Sequence, residues 1–190
     1  MGRTADLGAQ LAAGKTTKRI LIISIALQLL CTAVPGLTTY LAFHPEWGAL
    51  ALPGAIIHMF AHGSWGHLMG NYMSGLPFML YLESRIGSRH MWRHFISCGL
   101  FASLFSFVLS GSGGIGSSGA ICGSMAGALM LYGENRWEQT LCITFLLMLL
   151  LPNILMIPLT ELLGVGFAAH VGGMIGALIL AGKRAPSNKR

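Results

Sequence analysis

Two side chains in this sequence, Ser118 and His170, have the chemistry of a nucleophile and its general base. Both stand at the edges of apolar segments, where polar groups are rarely kept without a function. A serine hydroxyl is a weak nucleophile near neutral pH, and histidine is the usual side chain that takes its proton. The single aspartate is Asp6, near the N-terminus, so the residues favour a Ser–His dyad over a triad. Glu161 is an alternative orienting group for His170, although a loop carboxylate is more often solvated.

An acyl-transfer site also needs hydrogen-bond donors for the oxyanion that forms during the reaction. His67 and Asn71 are four residues apart in an apolar segment, so on a helix their side chains share one face. The backbone N–H of Ser118, at a helix start, is a further donor without an intrahelical partner. Each polar side chain alone is more often an ordinary helix-end residue, but together they are candidates for an oxyanion hole.

His58 and His62 are also four residues apart and raise the question of a metal site. The His-Glu-x-x-His signature of zinc proteases is absent, so no metal or other cofactor is predicted. The Gly-x-Ser-x-Gly turn of α/β-hydrolases is absent too, because Gly119 and Ala120 directly follow Ser118.

The composition is typical of a membrane protein with several spans. Of 190 residues, 54% are hydrophobic and only 9% charged, and the mean hydropathy is +0.67. The net charge of +6 lies between apolar runs rather than on one basic face, which argues against nucleic-acid binding. There is no Cys-x-x-Cys motif, so Cys31, Cys98 and Cys142 are interpreted as small buried residues rather than disulfide or zinc partners.

Six apolar segments that are long enough, or nearly so, to cross a bilayer follow one another along the chain. They are residues 20–43, 67–82, 91–109, 118–132, 140–157 and 168–181. The first is longer than the core of a cleaved signal peptide. Residues 50–60 are apolar but too short to span, which indicates an interfacial or re-entrant segment. The predicted fold is all-α, with a tail at 1–19, a six-helix domain at 20–182 and a basic tail at 183–190.

The charged residues give these spans an orientation. All twelve Lys and Arg residues fall in the two tails and in the connections at 83–94 and 133–138. With six spans these four segments share one side, which the positive-inside rule identifies as the cytoplasm. Ser118 and His67 then begin spans on the opposite side of the membrane, and His170 lies near the start of a span on that side.

Small residues predict close packing of the fourth and sixth spans. Glycines repeat at a spacing of four in both, at Gly119, Gly123 and Gly127 in the fourth and at Gly172 and Gly176 in the sixth. Such rows let transmembrane helices approach backbone to backbone. Close packing would permit a hydrogen bond between Ser118 and His170.

Four short motifs, in order, resemble those of the rhomboid intramembrane serine proteases. They are residues 62–71, Glu83 with Arg85 and Gly87, residues 116–119 and residues 169–173, and they cover about residues 50–182. The resemblance implies a six-transmembrane-helix bundle whose active site opens to the extracytoplasmic side. It implies no cofactor.

The resemblance also implies roles for individual residues. Ser118 would be the nucleophile, His170 the general base, and His67 and Asn71, with the Ser118 amide, the oxyanion hole. His62 would be structural or supportive, and Glu83 and Arg85 would brace the cytoplasmic end of the second span. Two residues of the fourth span are also predicted to support the site: Gly119, through helix packing, and Cys122, one turn beyond Ser118.

Three positions depart from the family pattern. Cys122 stands where the family often has a tyrosine that stacks on the catalytic histidine. Trp47 lacks the neighbouring arginine that is common in the first long loop. Ala177 takes the second place of the glycine row after His170 and is still small enough for close packing.

The sequence therefore predicts a multi-pass serine endopeptidase of a bacterial inner membrane. It would cleave single-span membrane proteins, with the lipid bilayer as its surroundings, through an acyl-enzyme. A non-catalytic rhomboid-like binding protein is a second hypothesis, but it needs neither Ser118 nor His170. A channel or transporter is a third, but it needs ionisable residues along its path, and the third to fifth spans carry almost none.

Overall fold

The computed structural model describes residues 14–131, 140, 144 and 166–182 of the chain. Within these residues the fold is all-helical, as predicted, and contains no strand apart from an isolated antiparallel bridge between Phe43 and Gly114. The elements are α1 (Lys15–Ala33), α2 (Leu37–Leu41), a 3₁₀ helix (Pro45–Ala51), α3 (Gly54–Ile57), α4 (Trp65–Ile86), α5 (Ser88–Ser110), α6 (Ser118–Ala126) with a π-helical turn (Gly127–Leu131), and α7 (Phe167–Gly182).

Several predictions concern residues outside the described part of the chain. They are most of the fifth span at 140–157, the start of the N-terminal tail, the C-terminal tail at 183–190, Cys142 and Glu161. The second, third, fourth and sixth predicted spans correspond to α4, α5, α6 and α7, with ends that differ by a few residues.

The start of α1 corrects the predicted boundary between tail and helix. The helix begins at Lys15, inside the segment predicted as a polar tail. Its first N–H groups have no intrahelical partner, and Glu83 of α4 supplies one. The Glu83 carboxylate accepts the backbone N–H groups of Thr16 and Thr17, at 2.8 Å each. A cap from a distant helix therefore extends α1 toward the N-terminus.

The end of α1 is also earlier than predicted. The helix ends at Ala33 rather than at residue 43. Val34 is extended, Pro35 has a fixed φ, and Gly36 adopts a φ of +82°. This sequence cannot continue an α-helix, so the chain turns into α2 and the loop beyond it.

The loop that follows α2 consists of short helical turns. This agrees with the prediction that the apolar residues 50–60 are too few to cross a membrane. His44 holds its start, because Nδ1 lies 2.8 Å from Glu46 Oε1 and Nε2 lies 2.7 Å from the Thr39 carbonyl. The ring also stacks on Trp47, with centroids 4.3 Å apart. The hydrogen bond to Glu46, followed by that to Thr39, raises the pKa of His44, because both oxygens favour a ring that carries two protons.

Helix α6 lies at the centre of the described fold, and every residue from Gly119 to Ala126 is buried. Helix α7 packs directly on it. A Cβ on Gly173 would overlap the carbonyl oxygen of Gly119, and a Cβ on Gly123 would lie 2.6 Å from the carbonyl oxygen of Gly173. The predicted close approach of the fourth and sixth spans is thus observed, and glycine permits it by having no side chain.

Two of the described helices, α1 and α5, are long and apolar enough to cross a membrane. Large apolar side chains on both face outward, with Ile22 64% and Val108 67% exposed. Helices α6 and α7 are apolar but shorter. Outward-facing apolar side chains of this size are costly in water and favourable in lipid.

Candidate active site

A cavity of about 560 Å³ lies between the starts of α4, α6 and α7 and the interior of α5. Its lining includes Ser118, His170, His67 and Asn71. The residues predicted as nucleophile, base and oxyanion-hole donors therefore share one space, although they come from three separate helices.

Ser118 is the first residue of α6, and a glycine-rich loop leads to it. Gly116 in this loop has a φ of +123°, which residues with a side chain rarely adopt. A Cβ at Gly116 would lie 2.7 Å from His67 Cε1 and 3.6 Å from Asn71 Nδ2. The absence of a side chain at Gly116 therefore lets the loop before Ser118 pack against both predicted donors.

Helix α4 presents His67 and Asn71 to the cavity one turn apart, as their spacing predicts. The Ser64 hydroxyl caps this helix by accepting the His67 backbone N–H at 3.1 Å. Among the described residues, Asn71 Nδ2 is buried without a hydrogen-bond partner. Such a donor costs about 1–3 kcal/mol when it is left unpaired. An oxyanion in the cavity would be a suitable acceptor for it.

His170 reaches the cavity from the first turns of α7 and is only 6% exposed. The carbonyl oxygen of Ala169 lies 3.1 Å from the position of a Cβ on Gly119, so the His170 segment packs on the start of α6. His170 Nδ1 has no partner among the described residues, and no hydrogen bond there joins Ser118 to His170. Catalytic hydrogen bonds are often long without substrate and tighten when it binds.

Two further histidines, His58 and His62, come from the loop between α2 and α4. His58 lines the cavity and His62 lies beside it. His58 Nε2 lies 2.7 Å from Ser103 Oγ of α5. His62 Nε2 lies 3.0 Å from Ser117 Oγ. Burial lowers the pKa of His58 and of His62 to about 4, helped at His62 by the nearby His67. Both rings are therefore neutral near pH 7, and each binds its own serine.

Ser117 is the residue that the sequence interpretation missed. From the sequence alone we interpret Ser117 as a loop residue beside Ser118, but the structure buries Ser117 completely and bonds it to His62. The only available signal was the adjacency of Ser117 to Ser118 in a Gly-Ser-Ser-Gly run, because neither periodicity nor composition distinguishes the two serines.

The arrangement of a serine at a helix start, a buried histidine and an unpaired amide donor suits acyl transfer in an apolar helical protein. The sequence matches the model of the Rhomboid domain over residues 47–186. The chain belongs to the Rhomboid family. The resemblance inferred from the four motifs is thereby confirmed. Members of the Rhomboid family are integral membrane proteins and are generally intramembrane serine proteases. No protein of curated function matches the chain significantly.

Two of the remaining residues predicted to support this Rhomboid-family site lie beside Ser118 on α6. A Cβ on Gly119 would overlap the side chain of Ala102 of α5, so glycine is needed for this contact. Cys122 is 2% exposed and lies one turn beyond Ser118. It occupies the interior of the bundle as a small side chain.

The other two predicted residues, Glu83 and Arg85, are at the opposite end of α4 and do not line the cavity. Glu83 caps α1 and also accepts the Ser88 hydroxyl at 2.6 Å. The Arg85 guanidinium lies over the Tyr81 ring, 5.1 Å from its centroid. The Glu83 contacts join α4 to α1 and α5, as the predicted bracing requires, whereas the contact of Arg85 with Tyr81 lies within α4.

Replacing Gly173 by alanine is expected to lower the free energy of unfolding by about 3 kcal/mol, because the new methyl group overlaps the Gly119 carbonyl and must separate α6 from α7. Denaturant titration in detergent measures the change. Gly70→Ala is the matched control, since a Cβ at Gly70 meets nothing within 4 Å. The control should be neutral or stabilising by up to about 1 kcal/mol. Equal stability of both variants would contradict the backbone-to-backbone packing.

Proposed function

We propose that this protein is an intramembrane serine endopeptidase in which Ser118 is the nucleophile and His170 the general base. The cavity that both residues line with His67 and Asn71 is the observation that supports this most strongly. Membership of the Rhomboid family supports the same reaction class.

In the proposed reaction, Ser118 Oγ attacks the carbonyl carbon of the scissile peptide while its proton passes to His170. The Asn71 amide, the His67 ring N–H and the Ser118 backbone N–H donate to the oxyanion that forms. His170 then protonates the leaving amine, the C–N bond breaks, and an ester to Ser118 remains. A water molecule loses a proton to His170 and attacks this ester, which releases the acid and restores the Ser118 hydroxyl.

The proposal extends to the membrane arrangement. The twelve basic residues fall in four segments that six spans would place on one side, so both termini would be cytoplasmic in a bacterial inner membrane. The cavity would then open to the extracytoplasmic side. The outward-facing apolar side chains of α1 and α5 support a lipid environment.

The substrates proposed are membrane proteins with a single span. A transmembrane helix keeps its carbonyl groups in internal hydrogen bonds, so Ser118 cannot attack them until the helix is locally open. Small residues or proline near the cut would weaken the helix and favour cleavage.

A fluorophosphonate probe tests the proposal, because it forms a bond with a serine only when a nearby base activates the hydroxyl. In membranes, the wild-type protein should be labelled, and peptide mapping should place the label on Ser118. His170→Ala should lower the labelling rate by at least about 100-fold. His90→Ala, on the exposed surface of α5, is the matched histidine control and should label at the wild-type rate. Labelling at a different serine, or none in the wild type, would rule out this assignment.

A further inference from the structure

A chain of buried polar side chains runs from α1 to the residue immediately before Ser118. The Ser24 hydroxyl of α1 lies 2.6 Å from the Tyr72 hydroxyl of α4. The Tyr72 ring lies 6.0 Å from the His62 ring, and His62 Nε2 lies 3.0 Å from Ser117 Oγ. The four side chains are all less than 5% exposed.

The Ser117 hydroxyl does not cap α6, although serine usually acts as a helix cap at this position. Ser117 precedes the first residue of α6, where a serine side chain usually accepts an N–H from the first turn. Here it makes no such bond, and its backbone is helical, with φ −80° and ψ −5°. The side chain points instead at His62, so the start of α6 gives up a cap worth about 1 kcal/mol.

The same short segment is held through its backbone as well. The Ser117 N–H points at His62 Nε2, 3.4 Å away, and the Gly116 N–H donates to the His58 carbonyl at 2.9 Å. The Ser117 carbonyl accepts the N–H of Ile121 at 2.9 Å, which is a helical bond of α6. Residues 116 and 117 are thus bound on several sides, while Ser118 itself faces the open cavity.

A shift of Ser117 must be transmitted to Ser118, because consecutive Cα atoms stay about 3.8 Å apart. Ser118 has two proposed functions that depend on its position. Its hydroxyl must be directed at the scissile carbonyl carbon, and its backbone N–H must be directed at the oxyanion. Oxyanion donors act within about 2.7–3.1 Å, and a misplacement of about 1 Å can cost roughly 100-fold in rate.

Stability alone does not account for this polar chain. Replacing both partners of a buried hydrogen bond by apolar groups of similar shape is often nearly neutral. Apolar side chains at all four positions of the chain would avoid burying its polar groups. The polar chain instead makes directional contacts to the segment that carries the nucleophile.

We propose that Tyr72 and Ser117 are positioning residues of the hydrolytic site, which hold the backbone of Ser118 in place through the buried chain from Ser24 to His62. The proposal rests on the proposed function, since it assigns Ser118 as the reacting group. Neither Tyr72 nor Ser117 touches the substrate; both act through Ser118.

The test uses Tyr72→Phe, Ser117→Ala and the double variant, with three measurements on full-length protein. These are the fluorophosphonate labelling rate of Ser118, kcat and KM for a reporter span, and the midpoint of thermal unfolding. Each single variant should lower labelling and kcat by about 10-fold while KM changes little, and the midpoint should stay well above the assay temperature, so that the protein is fully folded. The double variant should be no slower than the slower single one, because both substitutions disturb the same chain of contacts through His62.

Two controls sharpen the result. Tyr40→Phe removes the hydroxyl of a tyrosine that is 72% exposed and should leave every measurement unchanged. Ser24→Ala breaks the far end of the chain without touching Ser117, and it should lower kcat less than Tyr72→Phe does.

Three outcomes are informative against the proposal. Wild-type labelling rates in both single variants overturn it, and so does a rate loss that follows a matching loss of folded protein. A change in KM with unchanged kcat also overturns it, because that indicates a substrate contact. An unlabelled wild type refutes the proposed function itself, so the two failures are distinguishable.

Discussion

Replacing Ser118 by alanine is expected to lower cleavage of a reporter span by more than about 10⁴-fold, with no loss of folded protein. The substitution removes the only proposed nucleophile and leaves the start of α6 intact. Ser117 cannot take its place, because its hydroxyl is buried against His62 and it does not line the cavity. Cleavage is measured with purified protein in lipid vesicles, by separating the two fragments of the reporter.

Ser112→Ala is the matched control for this experiment. Ser112 is an exposed serine in the loop before α6, bonded only to neighbouring Ser110 among the described contacts. The control should cleave at the wild-type rate. Residual cleavage by Ser118→Ala above about one part in a hundred of the wild-type rate would require another nucleophile and would contradict the mechanism.

Replacing Glu83 by alanine is expected to have the largest effect on stability, lowering the free energy of unfolding by at least about 3 kcal/mol. Glu83 is 1% exposed and accepts three hydrogen bonds, from the N–H groups of Thr16 and Thr17 and from Ser88 Oγ. Alanine leaves the buried N–H groups of Thr16 and Thr17 and the half-buried Ser88 hydroxyl without their acceptor, and it removes the cap that starts α1. Denaturant titration in detergent measures the loss.

Two further glutamate variants show whether the carboxylate is responsible. Glu83→Gln keeps the shape and one acceptor oxygen, so its loss of stability should be intermediate. Glu46→Ala removes a glutamate whose side chain is 63% exposed, and it should change stability by less than about 0.5 kcal/mol. A Glu83→Ala variant as stable as Glu46→Ala would contradict the capping role.

The candidate site was largely predictable because its signals are local in sequence. The spacing of His67 and Asn71 implies one helical face, and α4 does present both to the cavity. The spacing of glycines implies close helix packing, and Gly119 and Gly173 do meet. Small residues or polar residues spaced four apart lie on one face of a helix, so the helix period alone shows that they share a face.

Two of the errors concern groups whose partners are distant in the chain. Lys15 begins α1 because Glu83 caps it, and no local pattern in the N-terminal segment announces that cap. Ser117 is equally unremarkable in sequence, yet its hydroxyl is bound by His62 from the long loop. Local propensity cannot show which distant side chain supplies a hydrogen bond.

The sequence by itself determined the helical class, the apolar character and the identity of the candidate residues, because composition and periodicity are properties of short stretches. Only the tertiary structure decided that Ser118, His170 and Asn71 share one cavity. It also decided that Ser117 is buried outside this cavity and hydrogen-bonded to His62. Hydrogen bonds act over about 3 Å, so which polar groups pair depends on how the helices pack. That packing is settled by the whole chain at once.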